Sequence, residues 1–572
     1  MNNSPGTLET LSSRVDDLEK RVRALEHPAQ FTATAQVAEQ NFQQGSEAPS
    51  ILETGNIFPV IGRAMLGIAG AYVLRALAEA ATSSKLPISI FAVAYAFAWL
   101  VWSPRASGST ARVFYAATSV LILAPMLWEN TLGFHLFTPT ATAGILAGFI
   151  TLATTLDLRK EGLRSMGIAQ SVALLTTAAL AFATHEVSPF VAALLIAVFI
   201  TEFARTRDLP QPLWPLIVLV SDAAVWAFIF IYASPQDSRA NYHELNVAAL
   251  IAPASILFAL NASAVSVRVF VRKNTITFLD IFQLVIAFAL AATSALYFAP
   301  LRAPTALGIS CFVLSTAAYA AAFHLLRSRR DRRNFRVFAL WSAALLIAAS
   351  LWALPHAGSA ILMALASTAA VYLSRRIEPK MLQFHGALFL LIAVLTTGLP
   401  LYLYDCMAGT PPHSPSPAVL VLAICAAAAV VVSPPSQDGF WNRALYLFPP
   451  LVSICASTAL LVHAALAIAA AFMILEAQHI AFLRTLTISA AALVIAFGGS
   501  RLHRNALTHL AYVALAFLAA KLFFEDLRHG HMEFIAASIG LFAITLMATP
   551  KLVRMGAGRQ TALSNATLHT KV

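Results

Sequence analysis

The chain has 572 residues, of which 59% are hydrophobic and 11% are charged, and its mean hydropathy is +0.74. A water-soluble domain needs about 25% charged residues to cover its core, so this composition excludes a soluble fold and indicates a protein whose solvent is the lipid bilayer. The formal net charge of +11 does not indicate nucleic-acid binding, because the basic residues occur in short clusters between apolar runs, as in loops that set membrane topology. We therefore predict an all-α, polytopic helical bundle in a membrane.

Residues 1–27 predict a short coiled-coil helix. Arg14 and Arg21 fall at heptad position g, where they would face Glu19 and Glu26 of a parallel partner. Branched residues at position a and Leu at position d also favour such a dimer; these seam residues are Leu8, Leu11, Val15, Leu18, Val22 and Leu25. The alternative is a single amphipathic helix on the membrane domain or on lipid, because an isolated helix of this length is marginal.

Residues 28–55 predict a flexible polar linker. Pro28 ends the preceding helix, and the stretch that follows is rich in Gln, Ala, Ser and Thr. Because residues 1–50 are polar, we predict no cleavable signal peptide. The first membrane span would then direct insertion.

Residues 56–550 contain apolar runs of spanning length, which predict about 18 or 19 transmembrane helices. The stretch 444–500 allows two or three of them, and two keep Arg501 and Arg504 on the cytoplasmic side. The longest polar interruption is about a dozen residues, which leaves no room for a soluble nucleotide-binding or hydrolase domain. Residues 551–572 predict a disordered basic tail.

The basic residues alternate between the predicted loops. About 19 of them lie in loops that leave even-numbered spans, including the stretch 327–336, against about three (Lys85, Arg239 and Arg302) in the opposite loops. Basic loops stay in the cytoplasm. The N-terminus is therefore predicted to be cytoplasmic.

The beginning and the end of the membrane region carry motifs that resemble a known family. The polar linker leads into Asn56-Ile-Phe-Pro-Val-Ile61-Gly62, then Leu66-Gly67 and Arg75, and a Lys521-Leu-Phe-Phe-Glu-Asp526-Leu run precedes the last span. They resemble a bacterial family of predicted membrane proteins, domain of unknown function 2339, in which Trp usually stands where this chain has Ile57. The resemblance implies a bacterial inner-membrane protein and transfers no catalytic residue.

Ionisable side chains inside the spans are the candidate functional residues, because charge at membrane depth is costly. Asp222 lies midway along its span and would be a proton or cation site, or else a protonated or hydrogen-bonded structural residue. Arg75 and Glu79 can pair on one helix face. Arg63 would need Asp222 or Asp280 as a partner, or it would extend to the headgroups.

Further polar residues lie inside or at the edges of the spans: Glu202, Asn261, Asp280 and Gln283. They would line an aqueous cavity, as in transporters, or form hydrogen bonds between helices. Gly144 and Gly148 allow close helix approach.

No catalytic, cofactor or metal site is predicted. Glu476 and His479 have Glu-x-x-His spacing, but di-iron bundles need a second copy and two further Glu. The segment His529–Glu533 could gather metal ligands, although its spacing matches no zinc site and it is interpreted as a polar turn. The four cysteines are interpreted as small core residues.

Three functions agree with this pattern. The first is transport or translocation of a small or lipid-linked solute, for which a polar cavity around Asp222 or Arg63 is expected. The second is a membrane scaffold that self-associates through residues 1–27. The third is an intramembrane transferase, for which the His529–Glu533 turn would be the site to test. Transport ranks slightly first, because buried charges are costly and no reaction site outside the membrane is present in the pattern.

Overall fold

The computed structural model describes residues 51–569, apart from 81–84, 107, 160–165, 328–331, 378, 409–415, 434–439, 473–475, 502–504 and 530. The predicted coiled coil and all but the end of the predicted linker lie outside the described residues. Within them, helices are the only regular secondary structure. The chain divides into two compact units, residues 1–244 and 245–572.

The described helices of the first unit are α1 to α7. In chain order they are Ile51–Ala80, Leu86–Trp102, Ser109–Trp128, Pro139–Arg159, Gly167–Ala183, Val187–Thr206 and Trp214–Ala233. Helix α3 packs against α1, α2 and α5, and α6 packs against α4, α5 and α7. A π-helical turn, Glu129–Gly133, extends α3.

The described helices of the second unit are α8 to α19. In chain order they are Val247–Phe270, Phe278–Phe298, Ala303–Ala320, Arg332–Ala353, His356–Ser374, Pro379–Thr397, Leu399–Met407, Pro417–Val432, Phe440–Phe472, Ala477–Arg501, Asn505–Lys521 and Met532–His569. Many sequence neighbours pack in pairs, such as α10 with α11 and α17 with α18, while α17 also packs against α19. π-Helical turns follow α10 and α18, at Ala321–Leu326 and Leu522–Asp526.

Lipid is the solvent that these helices require. Among the described residues, 16 helices are long and apolar enough to cross a bilayer, and two shorter apolar helices, α5 and α15, accompany them. Large apolar side chains point outward along them, for example Leu66 and Phe278, each 73% exposed. A soluble monomer rarely presents such surface. The chain is therefore an all-α, multi-pass membrane protein, as predicted.

The described part of the stretch 444–500 contains parts of two helices, α16 and α17, which is the smaller of the two numbers that the sequence allowed. Two other details differ from the pattern of spans. The predicted span 381–404 is broken at Gly398, which has φ +66° and is followed closely by Pro400, so the chain restarts as the nine-residue α14. Helix α19 continues to His569, so the described part of the predicted tail is helical; several good helix formers in it favour this.

Gly144 and Gly148, which were predicted to allow close helix approach, do not lie where helices come close together; other glycines do. A Cβ added at Gly144 or Gly148 would have no neighbouring atom within 4 Å. At Gly308 it would lie 2.7 Å from the backbone nitrogen of Ala353, and at Gly386 it would lie 2.7 Å from Val371 Cγ2. In the first unit the close approach is at Gly67, where an added Cβ would lie 2.6 Å from Trp99 Cζ2.

Candidate functional site

The densest group of buried charges lies where α18 runs into its π-helical turn. A π turn closes on the fifth following residue, so it brings Asp526 back towards Lys521. Lys521 Nζ lies 2.5 Å from Asp526 Oδ1 and 3.2 Å from Glu525 Oε2. One ammonium group therefore contacts two carboxylates of the same turn.

Helix α17 supplies the second cation and a hydroxyl. Arg484 Nη1 donates to Glu525 Oε1 at 2.7 Å, and Thr485 Oγ1 donates to Asp526 Oδ2 at 2.6 Å. Lys521 Nζ also reaches Thr485 Oγ1 at 2.7 Å and the carbonyl oxygen of Ala481 at 2.8 Å. We call Arg484, Lys521, Glu525 and Asp526, together with Thr485, the ion cluster.

The ion cluster is almost entirely withdrawn from solvent. The side chains of Arg484 and Lys521 are each 4% exposed and that of Asp526 is 3% exposed, whereas Glu525 is 19% exposed. Arg484 lies seven residues into α17, which is about 10 Å along the helix axis. Two cations and two anions balance one another there, as buried charges must.

The broken helix α14 completes the surroundings. Arg484 Nη2 donates a long hydrogen bond, 3.4 Å, to the backbone carbonyl of Asp405. Tyr402 of α14 stacks on His463 of α16, with ring centroids 6.0 Å apart. Asp405 lies in the last turn of α14, which ends at Met407, so the carboxyl end of this helix lies at the cluster.

An apolar cavity of about 430 Å³ lies beside the same helices. Its lining comes from α14, α16, α17 and α18, with Leu403, Ile454, Ile488 and Phe517 as one representative of each. Thr458 is among the few polar residues of the lining. The volume is in the range of ligand sites, roughly 300–1,000 Å³.

The predicted candidates of the first unit form other contacts. Arg75 pairs with Glu79 at 3.1 Å, as the spacing predicted, and with Glu129 at 2.5 Å. Glu202 is buried, pairs with Arg205 at 2.8 Å and accepts a hydrogen bond from the indole of Trp214. The guanidinium of Arg205 in turn lies 3.7 Å from the centre of the Trp214 ring. These contacts tie helix ends together.

Arg63 contacts a tyrosine rather than Asp222 or Asp280, the two carboxylates that the sequence suggested as its partners. Arg63 Nη1 donates to Tyr115 Oη at 3.5 Å. Asp280 instead pairs with Arg268 at 3.0 Å and forms a capping box with Thr277 at the start of α9. Asp222 is buried in α7, 8% exposed. Neither Asp222 nor Arg63 lines the cavity described above.

The ion cluster was not predicted from the sequence, although two features of the sequence indicated its residues. Lys521, Glu525 and Asp526 entered only as a family motif, and Arg484 was not singled out. Lys521 and Glu525 are four residues apart, the spacing of a helical ion pair. Arg484 in the middle of an apolar run was a second signal.

In the part of the chain that the structure describes, no group of three or more His, Cys, Asp or Glu residues could hold a metal ion. Glu476 and His479 form a local contact, in which the Glu476 backbone N–H donates to His479 Nδ1 at 3.2 Å. No protein-family model, curated protein or solved structure matches the chain. The site is therefore interpreted from its own geometry.

Proposed function

We propose that the protein transports a small or lipid-linked solute across the membrane, and that the polar part of this solute binds at the ion cluster. The observation that carries the proposal is the burial of four charged side chains inside membrane-spanning helices. Such groups are costly in a bilayer and typically belong to pathways for substrates or ions.

Two backbone features support the same proposal. Transporter sites are commonly formed by discontinuous helices whose ends face the substrate, and α14, which begins after the break at Gly398, ends beside Arg484. π-Helical turns occur often at functional sites, and one of them carries Glu525 and Asp526. Both features lie on the helices that line the apolar cavity.

The test needs no knowledge of the solute. Ser489 lies one turn after Thr485 on α17, is 1% exposed, and its Oγ has no hydrogen-bond partner, so Ser489→Cys removes no hydrogen bond. It is introduced into a chain whose four cysteines are replaced by Ala. A transporter exposes its site to each side in turn, so a membrane-impermeant maleimide should label Cys at 489 in right-side-out vesicles and in inverted vesicles.

The matched control keeps Cys425 as the sole cysteine. Cys425 is buried in an apolar cluster of the second unit and should stay unlabelled in both preparations. If position 489 is as unreactive as Cys425 from both sides, the transport proposal is wrong.

The location and assembly of the protein belong to the same proposal. Basic residues concentrated in alternate loops support a cytoplasmic N-terminus, and the family resemblance supports the bacterial inner membrane. The heptad pattern supports self-association through residues 1–27. Deleting those residues should reduce the size of the detergent-solubilised complex; an unchanged size would remove this part of the proposal.

A further inference from the structure

The ion cluster and the apolar cavity are neighbours along two helices. Ile488 of the cavity follows Arg484 by four residues on α17, and Phe517 precedes Lys521 by four residues on α18. Four residues are about one helical turn, or roughly 5.4 Å. A molecule that fills the cavity therefore has its end about one turn from the cluster.

The cavity has the length and chemistry of a site for a hydrocarbon chain. Its lining on α17 runs from Ile488 to Ile495 and on α18 from Leu510 to Phe517, and the two ends are seven positions apart in each case. That corresponds to about 10 Å along the helix axes. Apolar side chains form nearly all of the wall, so a polar solute would gain no hydrogen bonds there.

The cavity opens on the outer surface of its helices. Tyr404 and Val513 belong to its lining and are 62% and 59% exposed. Three of the helices that line the cavity, α16, α17 and α18, are long and apolar enough to cross a bilayer, so an opening on their outer surface would face acyl chains. The molecules that reach this opening are membrane lipids.

The headgroup preference follows from Glu525. Its two carboxylate oxygens are divided between two cations, with Oε1 2.7 Å from Arg484 and Oε2 3.2 Å from Lys521. A phosphate offers oxygens in a similar arrangement and pairs strongly with Arg and Lys. Glu525 is also the most exposed member of the ion cluster, so it is the group that a ligand can displace.

We infer that the substrate is an anionic lipid: one hydrocarbon chain occupies the apolar cavity, and the phosphate of the headgroup binds Arg484 and Lys521 in the place of the Glu525 carboxylate. This inference rests on the proposed function and narrows its solute to a lipid. Lys521 keeps Asp526 as a counterion when Glu525 is displaced. The site then holds one bound anion without leaving a buried cation alone.

The test is a binding titration of the full chain in detergent by native mass spectrometry. The probes are dioleoyl phosphatidylglycerol, dioleoyl phosphatidylcholine and dihexanoyl phosphatidylglycerol. The first should bind at least about tenfold more tightly than the second, which lacks net charge, and than the third, which lacks the long chain. These comparisons use the unaltered protein, so they do not depend on how any variant folds.

Variants then locate the lipid. Ala491→Phe on α17 and Ala514→Phe on α18 fill the cavity from facing walls, and each should weaken dioleoyl phosphatidylglycerol binding at least about tenfold. Ala490→Phe and Ala516→Phe add the same ring at exposed positions next to them and should bind as the unaltered protein does. Arg484→Gln should abolish the preference for phosphatidylglycerol over phosphatidylcholine.

Equal binding of the three lipids, or equal binding by the cavity-filling and control variants, would overturn the inference. Its failure is distinct from that of the proposed function. If position 489 is labelled from both sides but the protein shows no lipid preference, the protein transports a solute other than an anionic lipid. If the protein binds the lipid selectively but position 489 is not labelled, the lipid site exists and the transport proposal is wrong.

Discussion

Lys521 is the residue of the ion cluster that contacts both carboxylates, a hydroxyl and a backbone carbonyl. Removing one partner from a buried ion pair leaves a charge without compensation and costs about 3–5 kcal/mol. Lys521→Met should lower the free energy of unfolding by about this amount, and the thermal unfolding midpoint in detergent should fall with it. The measurement is a melting curve of the purified protein.

Two comparison variants make that prediction specific. Lys521→Met/Asp526→Leu should recover most of the loss, since it removes one charge of each sign and leaves Arg484 paired with Glu525. Arg376→Gln, at an exposed loop position, should change stability by less than about 0.5 kcal/mol. A double variant as unstable as the single one would mean that the charges are not coupled.

At the scale of residues, sequence reasoning recognised which side chains are unusual but rarely which of them meet. The Arg75–Glu79 pair was predictable because both residues lie on one helix at a fixed spacing. Arg484 and Glu525 are 41 positions apart, and no local rule brings them together. The partner of Arg63 is Tyr115 for the same reason: helix packing, rather than charge, selected it.

At the scale of elements, Gly308 sets the distance between α10 and α11. An added Cβ would lie 2.5 Å from Ala353 Cβ and 2.7 Å from its backbone nitrogen, so the helices would have to separate. We expect Gly308→Ala to destabilise the protein by about 1–3 kcal/mol, the usual cost of overpacking. Gly144→Ala, with open space around its Cβ, should be neutral or slightly stabilising. Melting curves of the two variants test this, and equal effects would contradict it.

Gly398 determines the break between α13 and α14. Its φ of +66° is left-handed, a conformation that costs most residues about 1–2 kcal/mol. Gly398→Ala should be destabilising by that amount, and Gly398→Asn by less, because Asn tolerates this region. Gly358→Ala is the control, since its Cβ would meet ordinary contacts of 3.5 Å. Identical melting midpoints for all three would show that the break does not depend on a left-handed residue.

The same break explains why the helices were only partly predictable. Apolar runs of about 20 residues are sufficient to identify helices, because length and composition decide membrane insertion. They do not reveal a break inside a run, since Leu399 and Leu401 continue the hydrophobic pattern through Pro400. The π-helical turn after α18 was hidden in the same way, because its effect is on backbone register rather than composition.

At the scale of the whole molecule, the fold class followed from composition alone. With 11% charged residues, the chain cannot cover a core in water. The outward-facing leucines, phenylalanines and valines of the helices agree with that reasoning. The side of the membrane on which each loop lies stays a prediction that rests on the alternation of basic residues.

Cysteine labelling in intact cells tests this account most directly. Arg302 directly precedes α10. Arg332 begins α11, after the π-helical turn and the short loop that follow α10, and both arginines are exposed. In a chain without other cysteines, Arg302→Cys should react with a membrane-impermeant maleimide added outside. Arg332→Cys should react only after the membrane is permeabilised. Labelling of both positions from outside, or of Arg332→Cys alone, would contradict a chain that crosses the bilayer with its arginine-rich loops in the cytoplasm.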